Sequence, residues 1–183
     1  MKLKDYEINI ISSSSDVKEI ELENGTKAFT AVSGERYAVR IYNNNADYRI
    51  WATLHIDGIP VMKEGWGLIA KPDGFLTWEG YEIDDHTERE FVFVDQETKT
   101  AAFEKGIKAD FGTMEIKIVR ESIKWDILSP PPPMILAFMG TGMGNKKNSN
   151  TTEAKIKFNW GEKADTIKIP YGTIQDLNEK HKV

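Results

Sequence analysis

The chain has 183 residues and carries 24 Lys and Arg against 29 Asp and Glu, a formal net charge of −5 at pH 7. Its 40% hydrophobic and 29% charged content suits a folded domain and excludes a disordered or fibrous chain. The absence of cysteine excludes a disulfide scaffold, a Cys-ligated zinc and a thiol nucleophile, no apolar run nears a membrane span, and the mild acidity argues against a general nucleic-acid binder.

The first residues, Met1 to Glu7, lack the apolar centre of a signal peptide. A polar patch, Ser12 to Ser15, interrupts a segment otherwise rich in strand formers, and Asn24-Gly25 marks a turn. Residues 37–42 alternate, with Tyr37, Val39 and Ile41 on one face. Residues 49–56 alternate too, placing Ile50, Ala52, Leu54 and Ile56 together and Trp51, Thr53 and His55 opposite. Period two over six to eight residues predicts half-buried strands. Asp57-Gly58 and Asp73-Gly74 tolerate the positive φ of tight hairpins. Pro60 lacks an amide donor, so the strand after Asp57-Gly58 is predicted to be short or at an edge.

The apolar run in residues 90–94 predicts a strand covered on both faces. Residues 98–105 could form two helical turns, stopped by Gly106. Residues 114–120 alternate again, and residues 154–160 and 166–169 close the series of strands. Thr173 followed by Asp176 predicts the cap of a short helix over residues 174–180. No internal repeat of fixed period is present.

Many short strands with frequent turns predict an all-β fold, a β-sandwich or jelly roll of short antiparallel strands with extended terminal arms. The expected organisation is N-terminal strands or an arm over residues 1–33 and a sandwich core over 34–128. A proline spacer, a Gly-rich loop, closing strands and a tail then occupy 129–183. The spacer is Pro130, Pro131, Pro132 and Pro133, stiff and extended by composition.

Catalytic signals are sparse. The cluster Asp84, Asp85, His86, Glu88 and Glu90 offers carboxylates and an imidazole, yet lacks the ordered spacing and bend glycine of a calcium loop. Its charges before an apolar strand suit a solubilised loop. His55, His86 and His181 have no nucleophile motif around them. Glu79 and Glu82 are one of many acid pairs in a chain with 29 acids. The Gly140 to Lys147 run resembles a phosphate loop, but no Ser or Thr directly follows Lys146 or Lys147. No catalytic residue, metal site or cofactor is therefore expected. The tryptophans Trp51, Trp66 and Trp78 could stack sugar rings on an exposed sheet face, or could serve the core and subunit contacts.

The order of the segments carries a resemblance. It runs through Gly34-Glu35-Arg36-Tyr37-Ala38-Val39-Arg40-Ile41-Tyr42-Asn43 and His55-Ile56-Asp57-Gly58-Ile59-Pro60-Val61. Gly80-Tyr81-Glu82-Ile83, Glu90-Phe91-Val92-Phe93, Ala101-Ala102-Phe103-Glu104-Lys105-Gly106, Gly112-Thr113-Met114-Glu115-Ile116-Lys117-Ile118 and Gly140-Thr141-Gly142-Met143-Gly144 follow. This order resembles small all-β proteins encoded by tailed phages, large DNA viruses and some bacteria. They share a Tyr-x-Ile/Val-x-Ile-x-Asn strand followed by an Ile/Val-Asp-Gly hairpin. The chain departs from them at Trp78-Glu79-Gly80-Tyr81, where a Gly-Trp-Arg-like turn is expected, and in its four-proline run.

The resemblance implies a virion or surface-associated β-sandwich with no catalytic residues to carry over. The expected function is a non-enzymatic structural protein, a capsid- or tail-associated virion component. Its expected partners are copies of itself, as a homo-oligomer, or other virion proteins, with neither nucleic acid nor membrane. The alternative is a carbohydrate- or surface-ligand-binding module on Trp51, Trp66 or Trp78. Expected contact residues are Pro130, Pro131, Pro132, Pro133, Met134, Gly140, Thr141, Gly142, Met143 and Gly144, together with the termini. Location in a virion is expected, with the cytoplasm before assembly, or the cell surface by a signal-independent route, as alternatives.

Overall fold

A computed structural model describes residues 1–84, 86–96, 99–108, 111–125, 147–148 and 157–181. The alternating segments set the frame. In β4 (Arg36–Asn43) the buried residues are Tyr37, Val39, Ile41 and Asn43, and in β5 (Ile50–Ile56) they are Ile50, Ala52, Leu54 and Ile56. In β11 (Thr113–Glu121) Met114, Ile116 and Ile118 point inward, and beyond them the outer-face residues Val119 and Glu121 are buried too. Pairing with β13 shifts register between Val119 and Glu121, while pairing with β5 runs unbroken to Arg120 opposite Ile50, so Val119 and Glu121 lie on the outer face with Trp51 and Arg49 and are nevertheless buried.

Two sheets form among the described residues. The first joins β1 (Tyr6–Ser12), β4, β10 (Thr87–Val92) and β12 (Lys147–Asn148) in that order. There, β8 (Phe75–Trp78) pairs with β4 and β9 (Gly80–Asp84) with β10. The second runs β2 (Glu19–Glu21), β3 (Lys27–Thr30), β13 (Trp160–Gly172), β11, β5 and β6 (Ile59–Pro60), and β7 (Leu68–Ala70) pairs with β5. Ile8, Val39, Ile41, Leu76 and Phe91 of the first sheet share one core with Ala52, Leu54, Ile56, Met114, Ile116, Ile118 and Ile169 of the second. The fold is an all-β sandwich, and each fully buried Ile or Leu in it contributes about 1.5–3 kcal/mol.

Several sequence expectations hold. β6 is two residues long and lies at a sheet edge, as Pro60 requires. Asn24-Gly25 joins β2 to β3, with Gly25 at φ 79°. The helix α2 (Ile174–Lys180) begins at the Thr173 cap, whose side-chain oxygen accepts from the Asp176 amide at 3.1 Å. Such a cap contributes about 1 kcal/mol. The other helix, α1 (Ala101–Glu104), is shorter than expected, capped by Thr100 and ended by Gly106 at φ 65°.

Other expectations are corrected. Asp73-Gly74 does not turn a hairpin. It carries the chain from β7 in the second sheet to β8 in the first, because the two strands find different partners. The apolar run in residues 90–94 is not covered on both faces: Phe91 and Phe93 are buried while Val92 and Val94 face solvent. The residues expected as terminal arms are packed. Met1 is buried and its nitrogen donates to the Ile8 carbonyl at 2.6 Å, β1 pairs with β4 along its whole length, and Leu177 of α2 packs on Leu22 and Ala28. One pairing is parallel rather than antiparallel, β13 with β3 through Tyr171 beside Phe29.

Candidate ligand cleft

The β5–β6 hairpin places the most consequential polar side chain. Asp57 and Gly58 both have positive φ, 54° and 80°, the geometry that a two-residue turn between twisted strands favours. The Asp57 carboxylate folds back over the end of the sandwich. Its Oδ1 accepts from the Gly112 amide at 2.7 Å and the Thr113 amide at 3.2 Å, and its Oδ2 accepts from the Tyr171 hydroxyl at 2.6 Å. One side chain thus ties the turn to the start of β11 and the end of β13. Gly112 is required at this junction: its φ is 86°, and a Cβ there would stand 2.8 Å from the Tyr171 carbonyl oxygen. Burial pushes the Asp57 carboxyl above its ordinary value, against the pull of its three donors and of the Lys180 charge.

Beside Asp57 lies a bed of aromatic rings. Tyr37 stacks on Phe93 with centroids 4.0 Å apart and on Phe91 at 5.3 Å. Tyr81 meets Phe91 edge-on at 5.1 Å, and Tyr171 leans on Phe93 at 5.7 Å. Tyr37, Tyr81, Phe93 and Tyr171 floor a cleft of about 1130 Å³ that also takes in Ile56, Asp57, Val92, Phe111 and residues of α1 and α2, with Phe91 beneath them. Tyr37 is only 7% exposed, yet it lines the cleft. The hydroxyls of Tyr37 and Tyr81 have no hydrogen-bond partner among the described residues, whereas that of Tyr171 is held by Asp57. Burial raises the pKa of all three phenols, with the Asp57 charge adding to each, so they stay neutral. At the rim Arg89 pairs with Glu104 at 2.6 Å, and the Lys180 ammonium donates to the Phe111 carbonyl.

A second polar arrangement has its centre at the end of β11. Arg49 Nε donates to Glu121 Oε2 at 2.7 Å and Arg49 Nη2 to Glu121 Oε1 at 2.5 Å, with both residues buried. Asn159 donates to Glu121 through its backbone amide at 3.2 Å and its side-chain amide at 3.0 Å. Arg49 also donates to the Lys157 carbonyl and lies over the rings of Trp125 and Phe158, at 4.7 and 5.7 Å. Both Glu121 oxygens and the Nε and Nη2 of Arg49 are matched within the protein, which marks a structural clasp.

The residues singled out in the sequence fall elsewhere. Trp78 is corrected as a ligand platform: it is 3% exposed in the core, with its indole N–H unpartnered. Its phase on β8 points it inward with Leu76. Trp51 and Trp66 are half-buried. Trp51 meets Trp160 edge-on at 4.9 Å, and Lys63 lies over Trp66 at 5.3 Å. Asp84 is fully exposed and closes the β9–β10 turn by accepting from the Thr87 hydroxyl and the His86 amide, bonds that lower its pKa. Among the described residues no three His, Asp or Glu side chains gather as a metal site. Glu82 accepts from the Lys63 amide, and His181 ends α2. Pro130, Pro131, Pro132, Pro133, Met134, Gly140, Thr141, Gly142, Met143 and Gly144 lie outside the described residues.

Sequence reasoning missed the cleft. It placed Asp57 as a turn residue and Tyr37 as core, and both assignments are locally right. Only the docking of β11 and β13 against the hairpin brings Asp57, Tyr37, Tyr81 and Tyr171 together. Among the described residues no helix is long and apolar enough to cross a membrane. No protein-family model, curated protein or solved structure matches the chain.

Proposed function

We propose that the protein is a non-enzymatic binding module, a β-sandwich that holds a ligand in the cleft beside Asp57. The observation that carries this reading is the cleft itself: a large concavity with an aromatic floor and a few convergent polar atoms, the composition of ligand sites. The chemistry there is suited to holding. Asp57 uses its oxygens on Gly112, Thr113 and Tyr171, and the neutral phenols offer hydrogen bonds rather than a nucleophile. A thermal-shift screen tests it. A ligand at a hundred times its Kd stabilises by about 2.7 kcal/mol, a rise of several degrees in Tm. That rise should vanish in Ala101→Trp, which fills the cleft from α1. A ligand whose effect survives Ala101→Trp binds elsewhere and removes the reading.

A second reading, a structural component of a virion or similar assembly, is favoured by the outer face of the second sheet. Trp160 is 58% exposed there, against Trp51 and Phe158, and Ile69, Trp51, Val119 and Ala164 share one row across four strands. Aromatic side chains of this kind are enriched where proteins meet. The expected result is a discrete homo-oligomer by light scattering and a smaller species for Trp160→Ser. An unchanged mass in the variant would separate this face from assembly.

A further inference from the structure

We infer that the ligand of the cleft is a short neutral saccharide, one to three sugar units long, hydrogen-bonded by the hydroxyls of Tyr37 and Tyr81. The inference rests on the reading of the cleft as a ligand site and names the class of molecule it takes. Tyr37 is more than nine-tenths buried, lines the cleft, and has no hydrogen-bond partner for its hydroxyl among the described residues. Trp78 Nε1 is the one fully buried side-chain polar atom without a partner among the described residues, so the unpartnered Tyr37 oxygen is open to the cleft, where a ligand hydroxyl can meet it. Tyr81 offers a second such group from β9. Asp57 Oδ2, already accepting from Tyr171, has a further lone pair.

The character of these groups selects the ligand. A neutral phenol both donates and accepts, as a sugar hydroxyl does. The exposed Val92 and the half-buried Tyr81, Phe111 and Tyr171, rather than the stacked Tyr37, match the apolar C–H face of a pyranose. Anionic ligands find little support: against Arg89, Lys99, Lys105 and Lys180 the cleft sets seven carboxylates, Asp57 among them, with Arg89 engaged by Glu104 and Lys180 donating to Phe111. A quaternary ammonium ion needs open ring faces around it. Here Tyr37 is stacked on both Phe93 and Phe91 and, at 7% exposure, has little ring face to give.

The test is calorimetric titration of neutral hexoses, N-acetylhexosamines and their di- and trisaccharides into wild type, Tyr37→Phe, Tyr81→Phe and Trp51→Ala. Each Phe variant removes one oxygen and keeps the ring. Affinity for the bound saccharide should fall roughly five- to tenfold in each Phe variant, the size of one lost hydrogen bond, and stay unchanged in Trp51→Ala. The Tm of unliganded Tyr37→Phe should equal or exceed that of wild type, because the hydroxyl has no internal bond to lose. A merely structural Tyr37 would give the reverse, a lower Tm with unaltered affinity. Tetramethylammonium and a neutral tripeptide serve as competing classes. If either binds in a Tyr37-dependent way and no saccharide does, the saccharide assignment is overturned and the cleft stands. If no probe of any class responds to Tyr37→Phe or Ala101→Trp, both the assignment and the cleft reading fall.

Discussion

Glu121→Ala is expected to lower the unfolding free energy by about 3–5 kcal/mol, because it leaves the Arg49 guanidinium buried without its partner. Glu121 is 2% exposed, so water cannot take its place. The pair itself is a weaker stabiliser than this loss suggests, since both charges were desolvated to form it. Arg49→Met combined with Glu121→Leu should therefore recover most of what the single change loses. Urea denaturation with a shared m-value measures all three. Acid adds a signature. Burial works to raise the Glu121 carboxyl, and hydrogen bonds from Arg49 and Asn159 outweigh it and hold the pKa below the ordinary value. A depressed folded value means that the stabilisation is present above the unfolded value, about 4.3, and is lost as pH falls through the folded one. The wild type should lose stability over that window, and the double variant should lose less. A Glu121→Ala loss under about 1 kcal/mol would show that the clasp is solvated in solution.

Asp57→Ala is the second large effect, expected at about 3 kcal/mol or more. The change orphans the Gly112 and Thr113 amides and the Tyr171 hydroxyl, and puts a Cβ residue without a bonding side chain at φ 54°. Asp57→Asn should retain most of the stability, since Asn tolerates positive φ and its oxygen can still accept from the two amides. The pH dependence has the opposite sign to that of Glu121. Burial raises the folded pKa of Asp57, so folding favours its protonated form. Its contribution is fully present below the unfolded value, about 3.9, and declines as pH rises through the raised folded value. The stability of Asp57→Asn relative to wild type should therefore improve as pH rises through that window, as circular dichroism melts at stepped pH would show. An Asp57→Ala variant as stable as wild type would mean that the hairpin does not hold the end of the sandwich.

These two side chains also show where legibility in the sequence ends. The alternation of β4, β5 and β11 was readable because one face of each is buried and the period is two. The Thr173 cap and the Asp57-Gly58 turn were readable because their chemistry is local. Glu121 was not, since it keeps the outward phase of β11 beside Arg49, and its cover there comes from Asn159 and Trp125, which no alternation reports. Nor was the inward orientation of Trp78, a residue whose neighbours gave no clean alternation. Asp73-Gly74 looked like a hairpin because turn chemistry specifies a bend and not which sheet receives the next strand. The cleft needs four residues from β4, the β5–β6 turn, β9 and β13, and no local pattern reports such a meeting.

The parallel contact between β3 and β13 has a kinetic consequence. Phe29 and Tyr171 are paired although 142 positions separate them (171 − 29). During synthesis β3 waits for a strand translated well over a hundred residues later, and β11 waits for the same strand along one of its two edges. The second sheet cannot be completed on the ribosome until β13 has left the exit tunnel. Non-local pairing of this kind predicts slow folding and a nascent chain with an open sheet edge, the state in which chaperone capture and aggregation compete.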